Sequence, residues 1–498
     1  MDSGRKNKQM ESIKQKTITG TIWKFLERFI AQAISLVVSI LLARLLDPSD
    51  YSVVGIVTIF FTFANVLISG GLNTALIQKK DADNEDYSTV LHVSVLLSII
   101  CYIILFFCAP LIAELYEQPS LILIIRVMGL SLPITAVKSI WCAYISATLQ
   151  FRKFFFATLG GTLVSAVVGI TMALNGFGPW ALVAQQMTNT VIDTLILIVS
   201  TRIHIVLKVS IAKLKVLFKY GWKVFVSSII GVVYAETAPL AIGLKFTPTD
   251  LSYYTKGKSF PNLLSSTTTN TLSAVLFPVL ARSQDDKPKL LSYTRRYMQV
   301  ASFIIFPVML GFLAVAENFV LVLLTAKWLP AVYYIQLYCI VCMFDVVAVG
   351  NCETIKAIGR SDVYLVMEII KKSCYFLILV LFIIFSNNPE ILAISSVVCT
   401  LVQIAVNSVP NIKLIGYKLG HQIIDLLPNL ITALVMMIAV YAVKYVPLAP
   451  FASLCLQVVS GVVIYIGLSV LTKNKNFKYI WQTAKGFLKR RENRANVS

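Results

Sequence analysis

Charged side chains inside long apolar segments are the residues of this sequence best able to do chemistry. Inserting one such charge into a bilayer costs roughly 2.5–3.5 kcal/mol, so it normally faces a cavity or an opposite charge. In the first apolar segment, Lys24, Arg28, Gln32, Ser35 and Ser39 follow one another at helical spacing. The stripe predicts a cation-lined cavity wall, or else Lys24 and Arg28 lie near the membrane surface and reach out to it.

Two further cations, Arg126 and Lys138, lie in the fourth apolar segment. They are separated by ~18 Å along a helix axis, and Pro133 between them allows a kink. Lys138 falls near the middle of the segment, where its ammonium cannot easily reach the surface. We expect it to face a cavity or to pair with an acid on another helix.

The eighth apolar segment is unusually polar. It carries Lys256, Lys258, Asn262 and Asn270, together with a dense run of hydroxyl residues between 253 and 273. A helix this polar cannot face lipid on every side. The segment therefore lines a cavity or packs its hydroxyl groups against neighbouring helices.

Four acids fall inside apolar segments: Asp193, Glu236, Asp345 and Glu353. A carboxylate at membrane depth can carry a proton or bind sodium, which makes these residues candidates for ion coupling. Each of them can equally pair with a lysine or an arginine.

Motifs for catalysis or for bound metals are not found. The sequence has no glycine-rich phosphate loop, and its three histidines form no metal-binding pattern. All nine cysteines lie in apolar segments, where small apolar packing is their expected role. We therefore predict no catalytic residues, no metal and no cofactor, and a protein that is not an enzyme.

Composition indicates the elements that must position these residues. The chain has 498 residues, of which 57% are hydrophobic and 14% charged, with a mean hydropathy of +0.78. Apolar runs of about 20 residues, long enough to span a bilayer as helices, recur throughout. They predict an all-α integral membrane protein with about fourteen spans: 18–45, 50–77, 88–113, 121–148, 155–175, 179–200, 217–244, 251–280, 297–324, 331–357, 363–385, 390–410, 424–445 and 451–471.

The sequence also repeats itself after about two hundred residues. Trp23-Lys24 corresponds to Trp222-Lys223, and the Pro-x-Asp motif at 48–50 recurs at 248–250. The repeat predicts two six-helix lobes related by a pseudo-two-fold axis along the membrane normal, followed by two extra helices. The predicted divisions are an N-terminal lobe (1–200), an amphipathic linker helix (201–216), a C-terminal lobe (217–412), spans 13–14 (413–471) and a basic tail (472–498).

The net charge of +20 is a topology signal. About 32 of the 44 basic residues fall on one side of the predicted spans and about 4 on the other, so both termini are predicted to be cytoplasmic. The surplus charge can also attract anionic membrane lipid. This distribution does not fit a nucleic-acid partner.

Several short motifs, in a fixed order, resemble those of one known family. They are LARLLDPSDY (42–51), GGLNTALIQ (70–78), NGFGPWALV (175–183), LFPVL (276–280), Ala316-Glu317 before Lys327-Trp328, and AIGRSD (357–362). Together they resemble Wzx-type lipid-linked oligosaccharide flippases, in the polysaccharide transporter branch of the multidrug/oligosaccharidyl-lipid/polysaccharide exporter superfamily. Within that branch the pattern is similar to the colanic-acid and teichuronic-acid exporters.

The resemblance implies two lobes that alternate between outward-open and inward-open forms in a bacterial cytoplasmic membrane. It implies an undecaprenyl-diphosphate-linked glycan as substrate. The energy coupling is open, with H⁺ or Na⁺ as candidate ions, and polysaccharide polymerase or assembly proteins are candidate partners. The predicted cavity cations would then compensate the charge of the diphosphate. The alternatives are a cation-coupled multidrug exporter, which would need an acidic cavity, and a membrane glycan polymerase, which would need larger external regions than these short loops.

Overall fold

A computed structural model describes residues 23, 26–27, 29–79, 81–201, 203–206, 208–482 and 485, without the side chains of 274 and 275. Every regular element in these ranges is helical. The helices are α1 (Phe29–Leu45), α2 (Pro48–Ser69), α3 (Leu72–Gln78), α4 (Asn84–Leu115), α5 (Ser120–Gly129), α6 (Ser131–Ala147), α7 (Phe151–Leu174), α8 (Pro179–Ser200), α9 (Ile211–Lys245), α10 (Pro248–Ala281), α11 (Lys287–Phe319), α12 (Ala331–Met343), α13 (Asp345–Ala357), α14 (Ser361–Phe385), α15 (Pro389–Ile415), α16 (Leu419–Ala442) and α17 (Pro450–Leu471).

Twelve helical segments in the described part of the chain are long and apolar enough to cross a membrane. Some of them join two consecutive helices, such as α5 with α6 and α12 with α13. The shorter α1 and the 25-residue α14, which carries Glu368, Lys371 and Lys372, lie where two more spans are predicted. The prediction of an all-helical, multi-pass membrane protein is confirmed.

The repeated Pro-x-Asp motif starts a helix in both places. The Asp50 carboxylate accepts a hydrogen bond from the Asp47 amide at 3.0 Å, and the Asp250 carboxylate accepts one from the Thr247 amide at 3.0 Å. In each case a proline opens the first turn, where its missing N–H costs nothing. The repeat thus encodes the same helix start twice.

By its contacts the chain divides into two compact units, one reaching Ser252 and the other starting at Tyr253. The first unit includes α9, which packs against α2, α3 and α4. Gly71 and Gly221 are in close contact there: a Cβ atom on Gly71 would lie 2.2 Å from the Gly221 carbonyl oxygen. This contact-based division falls near the start of α10, whereas the C-terminal lobe drawn from the repeat begins at 217, within α9. The lobes drawn from the repeat remain a prediction.

The prediction of a linker helix over 201–216 is wrong for the first half of that range. Residues 203–206 and 208–210 are not helical, and α9 begins at Ile211. The Val206 amide donates to the Ser88 hydroxyl at 2.9 Å, and the Ser210 amide donates to the Thr89 hydroxyl at 3.1 Å. Because hydroxyl groups of α4 satisfy these backbone donors, the segment does not need helical hydrogen bonds.

In the second unit, α16 and α17 pack on α11 through polar contacts along its length. Asp425 on α16 accepts two hydrogen bonds from Arg295 on α11, both at 2.8 Å, and one from Gln299 at 2.9 Å. Further along, Asn318 donates to Gln457 on α17 at 2.9 Å. We call these contacts the α11 ladder. Such interhelical hydrogen bonds hold helices together where no hydrophobic difference from lipid can do so.

Candidate functional site

Lys138 pairs with an acid on a neighbouring helix. Its Nζ atom lies 2.5 Å from Asp193 Oδ2, which joins α6 to α8, and Asp193 is buried. Gly161 on α7 makes room for this acid, since a Cβ atom there would lie 3.0 Å from Asp193 Cβ. Lys138 was expected either to face a cavity or to pair with an acid on another helix, and the structure contains the interhelical pair. Asp193, a candidate for ion coupling, is the partner in that pair.

Arg126 faces a different neighbour. Its guanidinium lies over the ring of Phe106 on α4, 4.3 Å from the ring centre, a cation–π contact. Its Nε atom is buried without a hydrogen bond, and no carboxylate in the described part of the chain lies within 4.0 Å of it. Arg126 and Lys138 therefore contact different neighbours, although they share one predicted span.

Two lysines of α10 lie against aromatic rings. Lys258 Nζ is 5.8 Å from the ring centre of Tyr254 and 5.6 Å from that of Tyr338. Lys256, which is buried, lies 5.7 Å from the ring centre of Trp328. We call this arrangement the cation–aromatic patch. Aromatic faces attract a cation without neutralising it, so the two tyrosine rings do not cancel the charge of Lys258.

The tyrosines of the patch are fixed by their own contacts. The hydroxyl groups of Tyr254 and Tyr338 are hydrogen-bonded at 2.5 Å, and that of Tyr338 also contacts the Ser396 hydroxyl at 3.2 Å. Tyr334 packs edge-on against Tyr254, with ring centres 5.7 Å apart. The two rings beneath Lys258 are therefore held by hydrogen bonds and edge-on packing.

The polar residues of α10 divide between packing and exposure. Asn262 accepts a hydrogen bond from the Cys342 thiol at 3.2 Å, and Ser265 donates to Asp345 at 2.6 Å. Asn270 and Thr267 are exposed, and the Thr267 hydroxyl bonds to its own helix. Both interpretations of this helix, cavity lining and helix packing, have residues that fit them.

The remaining acids differ in their partners. Asp345 accepts the hydrogen bond from Ser265, and within the described residues no basic group lies within 4.0 Å of its carboxylate. Glu353 pairs with Lys356 at 3.2 Å within the same helix. Glu236 lies half-buried on α9. The described ranges contain no group of three or more His, Cys, Asp or Glu side chains able to hold a metal ion.

The stripe on the first predicted span is only partly described. Lys24 and Arg28 lie outside the described residues, and Gln32 is half-buried on α1. The cation-lined wall that these residues predict remains a prediction.

The sequence reasoning missed a polar pocket in the first unit, here called the neutral pocket. It has a volume of about 150 Å³ and lies between α2, α6 and α8. On each helix its polar residues are three or four positions apart, a signal readable in the sequence. They are Thr58, Thr62 and Asn65 on α2, Ser131 and Thr135 on α6, and Gln186 and Thr190 on α8.

Comparison with known sequences gives a consistent family. Residues 41–333 match the family described as polysaccharide biosynthesis protein. The lipopolysaccharide biosynthesis protein WzxC of Escherichia coli is 24% identical over 371 residues, covering 72% of this chain and 74% of that protein. The succinoglycan biosynthesis transport protein of Rhizobium meliloti is 22% identical over 318 residues, which span 64% of each chain. The resemblance to polysaccharide exporters is confirmed.

Solved structures of two transporters share the fold. The lipid II flippase MurJ in its inward closed conformation matches with a TM-score of 0.74 at 14% identity, covering 92% of this chain and 99% of that one. An inward-facing multidrug resistance MATE transporter matches with a TM-score of 0.61 at 14% identity, covering 77% and 95%. The chain belongs to the polysaccharide biosynthesis protein family and has the membrane-transporter fold that MurJ and MATE proteins share.

Proposed function

We propose that this protein is a flippase that moves undecaprenyl-diphosphate-linked oligosaccharide across the bacterial cytoplasmic membrane by alternating access, for the assembly of surface polysaccharide. Its family and two relatives named for polysaccharide biosynthesis or transport support this proposal. The fold shared with a lipid II flippase agrees with it. On this proposal the protein transports its substrate without catalysing a reaction, and its termini are cytoplasmic.

The cation–aromatic patch is the observation that carries the proposal. Lys258 is half-buried on two tyrosine rings, and no carboxylate in the described part of the chain lies within 4.0 Å of its ammonium. A charge kept at membrane depth without a counter-ion is typical of a substrate pathway. The diphosphate of the carrier lipid is an anion that this lysine can contact during transport.

The experiment is a flipping assay with purified full-length protein in liposomes. A fluorescent undecaprenyl-diphosphate-linked oligosaccharide is placed in both leaflets, and its accessibility to a membrane-impermeant quencher is followed. Protein-dependent exchange between leaflets is expected. Liposomes that show the same slow exchange with and without protein would refute the proposal.

A multidrug exporter is the second candidate, because a MATE transporter shares the fold. A cationic drug would need acids in its path, and the patch in the second unit presents lysines instead. Drug resistance in cells that express the protein, without glycan export, would favour this alternative. A glycan polymerase would instead form glycosidic bonds when purified without partners.

For ion coupling we propose Asp345 over Asp193 and Glu353. Asp193 is paired with Lys138 and Glu353 with Lys356, whereas the carboxylate of Asp345 contacts a serine hydroxyl. A carboxylate without a basic partner can exchange H⁺ or Na⁺ without breaking an ion pair. Asp345→Asn is expected to make flipping insensitive to imposed proton and sodium gradients. An unchanged response to both gradients would exclude Asp345 as the coupling site.

A further inference from the structure

The neutral pocket lies next to the buried ion pair of the first unit. Thr135 is three residues before Lys138 on α6, and Thr190 is three residues before Asp193 on α8, so each pair shares a helix face one turn apart. Lys138 and Asp193 neutralise each other at 2.5 Å. Since none of the described lining residues carries a charge, the pocket is polar but has no net charge.

The threonine hydroxyls of this pocket have already used their protons. Thr58 donates to the Val54 carbonyl at 2.7 Å, Thr135 to that of Ser131 at 2.9 Å, and Thr190 to that of Gln186 at 3.0 Å. Each hydroxyl oxygen keeps lone pairs that can still accept a hydrogen bond. The threonines therefore offer acceptors to anything that enters the pocket, whereas the side-chain amides of Asn65 and Gln186 offer both donors and acceptors.

Asn65 adds a group that lacks a partner. Its Oδ1 atom is buried and accepts no hydrogen bond within the described residues. A buried carbonyl oxygen left in this state costs about 1–3 kcal/mol. An incoming donor would remove that cost, so the pocket favours a ligand with O–H groups.

We propose that the neutral pocket binds an uncharged sugar ring of the lipid-linked glycan. This inference rests on the proposed function and adds where the sugar is recognised. A volume of about 150 Å³ holds on the order of five water molecules at ~30 Å³ each, which suits a small polyhydroxylated group and not a whole oligosaccharide. Sugar hydroxyls supply the donors that the threonine and asparagine oxygens lack.

The same chemistry makes this pocket a poorer site for the diphosphate than for a sugar. An ionised phosphate offers only acceptors, so it could bond to the amide N–H groups of the pocket but would leave the hydroxyl oxygens of Thr58, Thr135 and Thr190 without a donor. Lys138, one turn from Thr135 on the same helix, is already paired with Asp193, and no described residue that lines the pocket is charged. Sugar and diphosphate are therefore recognised by different parts of the protein.

The test measures the contribution of one sugar to binding. Full-length protein in lipid nanodiscs is titrated with undecaprenyl diphosphate and with the same lipid carrying a single galactose, and both dissociation constants are measured by native mass spectrometry. The wild type is expected to prefer the galactosylated lipid. In the triple variant Thr58→Val/Thr135→Val/Thr190→Val this preference should fall about tenfold, with unchanged affinity for the bare carrier.

A matched control is Thr162→Val/Thr400→Val/Thr432→Val. These threonines make the same bond to the carbonyl four residues earlier, but they do not line the neutral pocket. The control is expected to keep the wild-type preference. If the pocket variant also keeps it, the sugar does not bind there. A further outcome would also overturn the proposal. If sodium ions stabilise the wild type but not the pocket variant, and both proteins have the same sugar preference, the pocket binds a cation.

A second variant, Gln186→Ala, covers the case in which the triple variant does not fold. Gln186 is an exposed side chain at the pocket, so its removal disturbs little packing. A roughly threefold loss of sugar preference is expected for one lost hydrogen bond, and no loss would refute the pocket assignment. A wild type that binds neither lipid overturns the proposed function itself. If the wild type prefers the galactosylated lipid and the pocket variants prefer it equally, only the assignment of the sugar to this pocket is overturned.

Discussion

Lys138 in the first unit and Lys258 in the second both lie in helical segments long and apolar enough to span a membrane, yet their surroundings are opposite. Lys138 lies 2.5 Å from a buried carboxylate, whereas Lys258 lies over two tyrosine rings that leave its charge intact. An ion pair contributes almost no field at a distance, while a lone ammonium attracts anions. Counting intramembrane cations therefore overstates the positive charge available to a substrate in the first unit.

The largest expected effect comes from breaking the Lys138–Asp193 pair. Asp193→Asn leaves the ammonium of Lys138 at membrane depth without a counter-charge. Removing one partner of a buried pair typically costs about 3–5 kcal/mol. We expect a loss of that size in the free energy of unfolding, measured by denaturant titration of the purified protein in micelles.

The double variant Lys138→Met/Asp193→Leu is the control for this prediction. It removes both charges together, and apolar replacement of a whole buried pair is often close to neutral. Most of the lost stability should therefore return. A double variant as unstable as the single one would mean that the two charges do not stabilise each other.

The α11 ladder tests whether buried pairs in the second unit behave in the same way. Asp425→Asn removes the charge that accepts two hydrogen bonds from Arg295. Because Arg295 remains partly exposed to solvent, we expect a smaller loss, about 2 kcal/mol in the free energy of unfolding. Glu390→Gln, at an exposed acid on α15, should leave stability unchanged, and an equal loss there would assign the effect to net charge.

Lys258→Met tests the lysine of the second unit that has no acidic partner among the described residues. Removing an unpaired cation should not destabilise the protein, but it should slow flipping of the diphosphate-linked substrate by about tenfold. Lys258→Arg, which keeps the charge and the contact with the rings, should restore most of the rate. The exposed Lys413 provides a control in Lys413→Met. If that variant is slowed equally, the effect comes from overall charge.

The smallest effect is expected where an ion pair is exposed. Lys213 lies 2.5 Å from Asp83, and its hydrogen bond to this carboxylate lowers the pKa of Asp83 to about 2. A folded-state pKa below the unfolded value of about 3.9 stabilises the protein above that value, and the stabilisation is lost as the pH falls through 2. The unfolding temperature of the wild type and of Asp83→Asn should therefore differ by the same small amount at every pH from 5 to 8. A difference that varies across this range would show that another group titrates there.

Much of the fold could be predicted from the sequence, because a continuous run of about 20 apolar residues in a bilayer must satisfy its backbone hydrogen bonds within itself, and it does so as a helix. Helices α2 and α10 also begin at the repeated Pro-x-Asp motif that the sequence shows. The linker was predicted incorrectly, since its helical periodicity could not show that the hydroxyls of Ser88 and Thr89 satisfy its backbone.

The candidate site was harder to predict, because contacts between helices leave little trace in a single sequence. Lys138 and Asp193 were both singled out, but nothing in the chain shows that they meet across 55 positions. Asp425 was not singled out at all, although it holds α16 against α11. The neutral pocket was missed because threonines in apolar segments resemble ordinary packing residues.

The α11 ladder has a consequence for biosynthesis. Arg295 and Gln299 leave the ribosome about 130 residues before their partner Asp425, a delay on the order of ten seconds at 5–20 residues per second. During that interval α11 needs temporary partners for its polar groups, from the translocon, from lipid headgroups or from a membrane chaperone. Ribosomes paused before codon 425 should therefore accumulate a nascent chain in which α11 is still accessible from the lipid phase.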